Sequence, residues 1–138
     1  MLTYADGSAL SRVLAADAES ASWLRWYAEH ADDVVTSPLG LTELRRAALG
    51  LDAVARAKAH EVAERVTVVR FFDQALRPAA MASAVLDPFR AMHLGIVVAH
   101  PDIGRLVTYD ALLARVAAIH DVRVVSPGRP DGWWDSTG

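Results

Sequence analysis

Short apolar runs alternate along this chain with longer stretches whose apolar residues recur at helical spacing. Leu2 to Ala5 reads as a first strand ended by Asp6-Gly7-Ser8, after which Ala9, Leu10, Val13 and Leu14 follow a helical period. Glu19 to Ala31 sets Trp23, Leu24, Trp26 and Tyr27 among polar residues, and Asp33 to Thr36 is a second short strand. Pro38 suits the first position of a helix that runs to Gly50, and Leu51 to Arg65 is a further helix. The β-branched segment Val66 to Val69 is a third strand, and one or two helical segments fill Phe72 to Val85. Pro88 opens a helix toward Ala99, Pro101 and Gly104 interrupt the chain, and Arg105 to Thr108 is a fourth strand. A helix from Ala111 to Ile119 and a strand from Arg123 to Val125 complete the pattern.

Strands separated by one or two helices cannot pair as hairpins, so the pattern predicts a mostly parallel sheet of about four or five strands covered on both faces. The expected fold class is therefore a three-layer α/β/α sandwich. With no repeat, low-complexity tract or linker, one domain is expected over residues 1–128, followed by a tail over 129–138. Such sheets gather ligands outside the carboxyl ends of their strands.

Two acids fall there. Asp6 follows the first strand and Asp110 follows the fourth, so both should project into one crevice. Glu43 lies between Leu41 and Leu44, near the buried edge of its helix. An unpaired buried carboxylate costs several kcal/mol, so acids clustered in a cleft imply bound cations, paired arginines or a shared proton. Hard oxygen donors favour Mg²⁺ or Mn²⁺, which suits metal-assisted hydrolysis of a phosphodiester. Each acid also has a plainer reading: Asp6 and Asp110 as helix caps, Glu43 as a solvated helix residue.

Composition narrows the chemistry. The 138 residues contain no cysteine, which excludes disulfides, thiolate zinc sites and cysteine nucleophiles. A formal net charge of −3 argues against a grip on nucleic acid through a broad basic surface. No apolar run approaches the ~18–20 residues of a membrane span and the first residues do not read as a signal peptide, so no membrane association and a cytoplasmic location are expected.

Four segments, in order, resemble one family. Tyr4-Ala5-Asp6-Gly7-Ser8-Ala9-Leu10, Thr36 to Arg46 with Glu43 inside it, Leu106 to Leu113 with Asp110 inside it, and Val124 to Gly128 are similar to the acidic elements and closing strand of VapC-type PIN domains. The resemblance implies a PIN fold, Mg²⁺- or Mn²⁺-dependent endoribonuclease activity, a cognate VapB-type antitoxin and a homodimer. It also implies that Asp6, Glu43 and Asp110 are metal-site carboxylates, with Ser8 and Thr108 as supporting hydroxyls.

One position departs from the family pattern: Arg90-Ala91-Met92-His93-Leu94 carries arginine where an aspartate usually precedes the histidine by three residues. Asp87, one turn earlier, is either a substitute ligand or the cap of the helix that Pro88 opens. A guanidinium at position 90 would pair with a carboxylate of the cluster and occupy charge space that a cation would otherwise neutralise. Two functional readings follow: a nuclease weakened by Arg90, or a silent module that binds RNA or an antitoxin. A phospho-acceptor domain is a remoter reading, since Lys58, the only lysine, lies on a helix away from the strand ends.

Other residues stay open at the level of sequence. Arg12, Arg45 and Arg46 either contact RNA phosphate or are solvated helix arginines. The helical spacing of His93 favours a packed, hydrogen-bonded histidine over a ligand. Trp23, Trp26 and Tyr27 either stack bases or, as their helical spacing favours, belong to core or a subunit contact, and Trp133-Trp134 either fold back over the body or mark a protein contact surface, the fold-back being favoured.

Overall fold

In the computed structural model, which describes residues 1–135, five parallel strands form one sheet in the order β3-β2-β1-β4-β5. The strands are β1 (Leu2–Ala5), β2 (Val34–Thr36), β3 (Thr67–Val68), β4 (Ile103–Val107) and β5 (Arg123–Val125). Between them lie α1 (Gly7–Leu10), α2 (Ala18–His30), α3 (Pro38–Leu49), α4 (Ala53–Arg65), α5 (Leu76–Ala82), α6 (Pro88–Ala99) and α7 (Ala111–Ile119). The α/β/α sandwich expected from the sequence is therefore present.

The two-residue period of the strands divides the core. Tyr4, Val35 and Leu106 face one layer with Leu94, Ile96 and Leu113 of α6 and α7, whereas Ala5, Val34 and Val107 face the other with Leu10, Trp23 and Leu44. Trp23 is buried and lies 5.7 Å from the Trp26 ring and 5.3 Å from the Tyr27 ring, which puts this aromatic group in the core.

Side-chain caps start most of the longer helices. Asp17, Asp52, Asp87 and Asp110 each accept a hydrogen bond from the backbone N–H three residues on, and Pro38 and Pro88 occupy first-turn positions.

Two boundaries differ from the sequence reading. β4 begins at Ile103 rather than Arg105 and includes Gly104, because a Cβ there would run into the Met1 side chain; the glycine lets the chain start pack on the strand. The third strand shrinks to Thr67–Val68, exposed on the sheet edge; Val66 instead caps the end of α4, and Val69 N–H still donates to the Thr36 carbonyl at 2.8 Å.

The described part of the tail does fold back. Arg115 Nη2 donates to the Trp134 carbonyl at 2.9 Å, Arg129 lies 4.2 Å from the centre of the Trp133 ring, and Arg129 Nε donates to Glu19 at 2.6 Å. The Tyr109 hydroxyl donates to the Pro127 carbonyl at 2.7 Å. Residues 136–138 of the expected tail lie outside the described residues.

Two outcomes follow from this packing. At Gly95 a Cβ would meet the Ala75 carbonyl oxygen and come within 3.0 Å of Ala79 Cβ, so Gly95→Ala is expected to lower stability by about 1–3 kcal/mol in urea unfolding. Burial pushes the Tyr109 phenol above its ordinary value, so its contribution is complete below about pH 10 and is lost as pH rises toward the folded-state value. Tyr109→Phe should cost about 1 kcal/mol at pH 8 and flatten the alkaline fall in the unfolding midpoint, with Tyr4 and Tyr27, both also raised by burial, contributing to the slope that remains.

Candidate active site

The sheet order makes β1 the point at which the chain reverses direction, since β2 and β3 extend to one side of it and β4 and β5 to the other. A crevice therefore opens beyond the carboxyl ends of β1 and β4. It holds a cavity of about 520 Å³ lined by acids Asp6, Glu43, Asp87 and Asp110 together with Ser8, Arg46, Pro88, Phe89, Arg90 and His93. Four segments distant in sequence thus bring every acid singled out above to one pocket.

Asp6 is almost wholly buried and caps α1. Its Oδ1 accepts from Ser8 Oγ at 2.7 Å and Ala9 N–H at 3.0 Å, and its Oδ2 accepts from Thr108 Oγ1 at 2.7 Å. Ser8 in turn accepts from Tyr109 N–H of the opposite segment at 2.8 Å, and Thr108 accepts from Asp110 N–H of its own segment at 3.1 Å. Ser8 and Thr108 therefore tie the end of β1 to the segment after β4 through one carboxylate. All these donors are neutral, and burial raises the Asp6 pKa above the usual carboxylate range.

Glu43 is fixed from two sides. Gly7 N–H donates to its Oε1 at 3.1 Å, and His93 Nε2 lies 2.5 Å from the same oxygen. Only glycine fits at position 7, because a Cβ would collide with the Glu43 side chain. A carboxylate can only accept, which places a proton on His93 Nε2, and Nδ1 lies 2.7 Å from the Tyr4 hydroxyl. Ser37 Oγ, also 2.7 Å from the Tyr4 oxygen, continues the chain. His93 is thus the packed, hydrogen-bonded residue its spacing suggests, and also a side-chain bridge from α6 to Glu43 on α3.

Arg90 dominates the other half of the pocket. Its Nε donates to Asp110 Oδ2 at 2.7 Å and its Nη1 to Asp87 Oδ2 at 2.5 Å. The Asp110 hydrogen bond and charge hold the guanidinium pKa still higher than usual. Asp87 is exposed and also caps α6 by accepting from Arg90 N–H at 2.9 Å, an interaction that, with the Arg90 charge, lowers its pKa. Asp110 caps α7 through Leu113 N–H. The cap readings of Asp6, Asp87 and Asp110 therefore hold geometrically alongside their place in the pocket.

The donor types in this pocket fit a hard divalent ion, and Asp6 and Glu43 are the pair that would hold it, since hydroxyls, amides and an imidazole orient them. Asp110 is already neutralised by Arg90, and among the described residues no three acidic or imidazole side chains form a ready metal cluster.

The candidate RNA-contacting arginines separate. Arg46 lines the pocket. Arg45 is exposed on α3 outside the pocket lining. Arg12 lies apart from the pocket, where its Nη1 donates to Glu19 at 2.9 Å and its guanidinium sits 5.4 Å from the centre of the Tyr109 ring, a structural role. Sequence reasoning passed over Phe89, which stands exposed at the pocket rim, and Tyr4, whose burial in β1 gave no sign of its bond to His93. The proline-started helix and the helical offset from His93 were the available signal for Phe89.

No helix among the described residues is long and apolar enough to cross a membrane. No curated protein matches the chain. Residues 3–129 match the PIN domain family, whose members are generally nucleases, and the parallel sheet with acids at its switch point is consistent with that match. With nearly the whole of its length matched, the chain belongs to the PIN-domain family.

Proposed function

We propose that this protein is an Mg²⁺- or Mn²⁺-dependent endoribonuclease, the VapC-like toxin of a type II toxin-antitoxin pair, with reduced activity because of Arg90. The observation that carries the reading is the meeting of Asp6, Glu43 and Asp110 in one pocket at the sheet's switch point. RNA in single-stranded or looped form suits a recessed pocket, because its backbone can bend to bring a phosphate inside. A VapB-type antitoxin and a second copy of the chain are the protein partners that this reading implies, and the cytoplasm is the place where they would meet.

The division of labour follows from the contacts. Ser8, Thr108 and the Ala9 amide fix the Asp6 oxygens, while His93 and Gly7 fix Glu43, so neither carboxylate must reorganise when a phosphate enters. Arg46 draws the phosphate anion toward these acids, whereas the Arg90 guanidinium is already engaged by Asp87 and Asp110. A divalent ion held by Asp6 and Glu43 would supply a water of lowered pKa and offset charge on the leaving oxygen.

The grip of Arg90 on Asp110 favours a second reading: a module that occupies RNA, or holds an antitoxin, without cutting. The two readings separate in a cleavage assay on structured RNA with and without Mn²⁺. The nuclease reading expects Mn²⁺-stimulated cleavage that Asp6→Asn lowers by more than about 100-fold while RNA binding persists. Cleavage that is absent, or indifferent to Asp6→Asn, leaves only the binding reading.

Releasing Asp110 should strengthen the site. Arg90→Asp is expected to raise Mn²⁺ affinity in calorimetry and the Mn²⁺-dependent cleavage rate by roughly tenfold or more. No gain in either measurement means that Arg90 does not limit the site.

A further inference from the structure

The pocket does not end at its acids. Beyond Glu43 it runs into a second depression lined by Thr42, Glu43, Arg46, Ala47 and Phe89, so that Glu43, Arg46 and Phe89 are common to both. Phe89 is 45% exposed, and no ring contact engages it among the described residues. Arg46 is exposed and makes no hydrogen bond or ion pair among the described residues, whereas Arg12, Arg65, Arg90 and Arg129 are all paired with acids.

A single exposed phenylalanine is ordinary on a protein surface. Its placement here is fixed by the fold. The Glu43–His93 contact bridges α3 and α6 across the strand ends. Arg46 lies one turn beyond Glu43 on α3, and Phe89 lies one turn before His93 on α6, so the same contact that orients the carboxylate also brings an unpaired guanidinium and an unpacked ring to one groove.

We propose that Phe89 and Arg46 form a subsite for one unpaired nucleotide next to the scissile phosphate. The base stacks on the Phe89 ring, and the Arg46 guanidinium takes its phosphate. Every base presents a π-face, so the subsite is tolerant of sequence but demands a base free of pairing. A net charge of −3 argues against a grip on RNA through a broad basic surface and favours local contacts of this kind. Duplex RNA keeps its bases stacked inside the helix, out of reach of Phe89. The inference rests on the pocket being an RNA site, but not on its cutting RNA.

The test is direct binding of a short fluorescent single-stranded oligoribonucleotide to the full chain, by anisotropy at low salt with EDTA present so that cleavage does not enter. Phe89→Ala should weaken binding about tenfold, Phe89→Trp should retain it, and an oligonucleotide with one base removed should bind the wild type as weakly as the intact strand binds Phe89→Ala. Arg46→Gln should reduce the slope of log affinity against log salt by about one, with Arg46→Lys leaving it unchanged. Because both side chains are exposed, these variants remove no core contact, and circular dichroism verifies the fold.

Unchanged affinity in folded Phe89→Ala, equal losses on duplex and single-stranded RNA, or no RNA binding by the wild type overturns the subsite. The first two of those results can coexist with Asp6-dependent cleavage, and the nuclease reading then survives alone. Phe89-dependent binding without Asp6-dependent cleavage has the opposite meaning: the subsite stands and the nuclease reading falls.

Discussion

The site depends on one buried carboxylate. Asp6 ends the central strand, has almost no contact with solvent, and accepts from two hydroxyls and one amide that belong to segments a hundred residues apart. Burying that charge is unfavourable, as its raised pKa records, and the neutral hydrogen bonds offset only part of the cost. A protein that keeps such a group has a local field in want of a positive charge. The rest of the pocket can be understood as the ways in which this chain provides one or leaves room for one.

On one side, Glu43 adds a second negative charge, braced by His93, Tyr4 and Ser37 in a run of short hydrogen bonds that crosses from α3 to α6 and down to β1. On the other side, Arg90 brings a fixed positive charge to Asp110 and Asp87. The pocket is therefore electrostatically divided, with two acids oriented by hydrogen bonds and two that share one guanidinium. A pocket built in this way keeps its acids at the switch point of the sheet while changing which part of the charge is mobile. A metal ion exchanges with solvent; an arginine on a helix stays with the chain.

Much of this was legible in the residues. The alternation of short apolar runs with helical stretches determined a parallel sheet with both faces covered, because strands so separated have no other way to pair. The acids stood out because Asp6 and Asp110 each end a strand, and Glu43 because leucines flank it. Less was legible where tertiary contact overrode local preference. Gly104 looks like a break, yet it lies within β4 because the Met1 side chain needs the space above it. Arg12 looks like a phosphate contact after the first acid, yet Glu19 and the Tyr109 ring claim it.

The chain by itself determined which layers form, where the strands end and which acids reach those ends, since hydrophobic period and cap chemistry are local properties that survive in any context. Only the tertiary structure decided how the acids are shared out: His93 to Glu43, Arg90 to Asp110 and Asp87, two hydroxyls to Asp6. Those pairings join segments tens of residues apart, and a side chain's partner depends on distances of a few ångströms that spacing along a sequence does not contain. The position of Phe89 beside Arg46 belongs to the same class, because only the folded chain brings α3 and α6, which cover opposite faces of the sheet, to one groove at the strand ends.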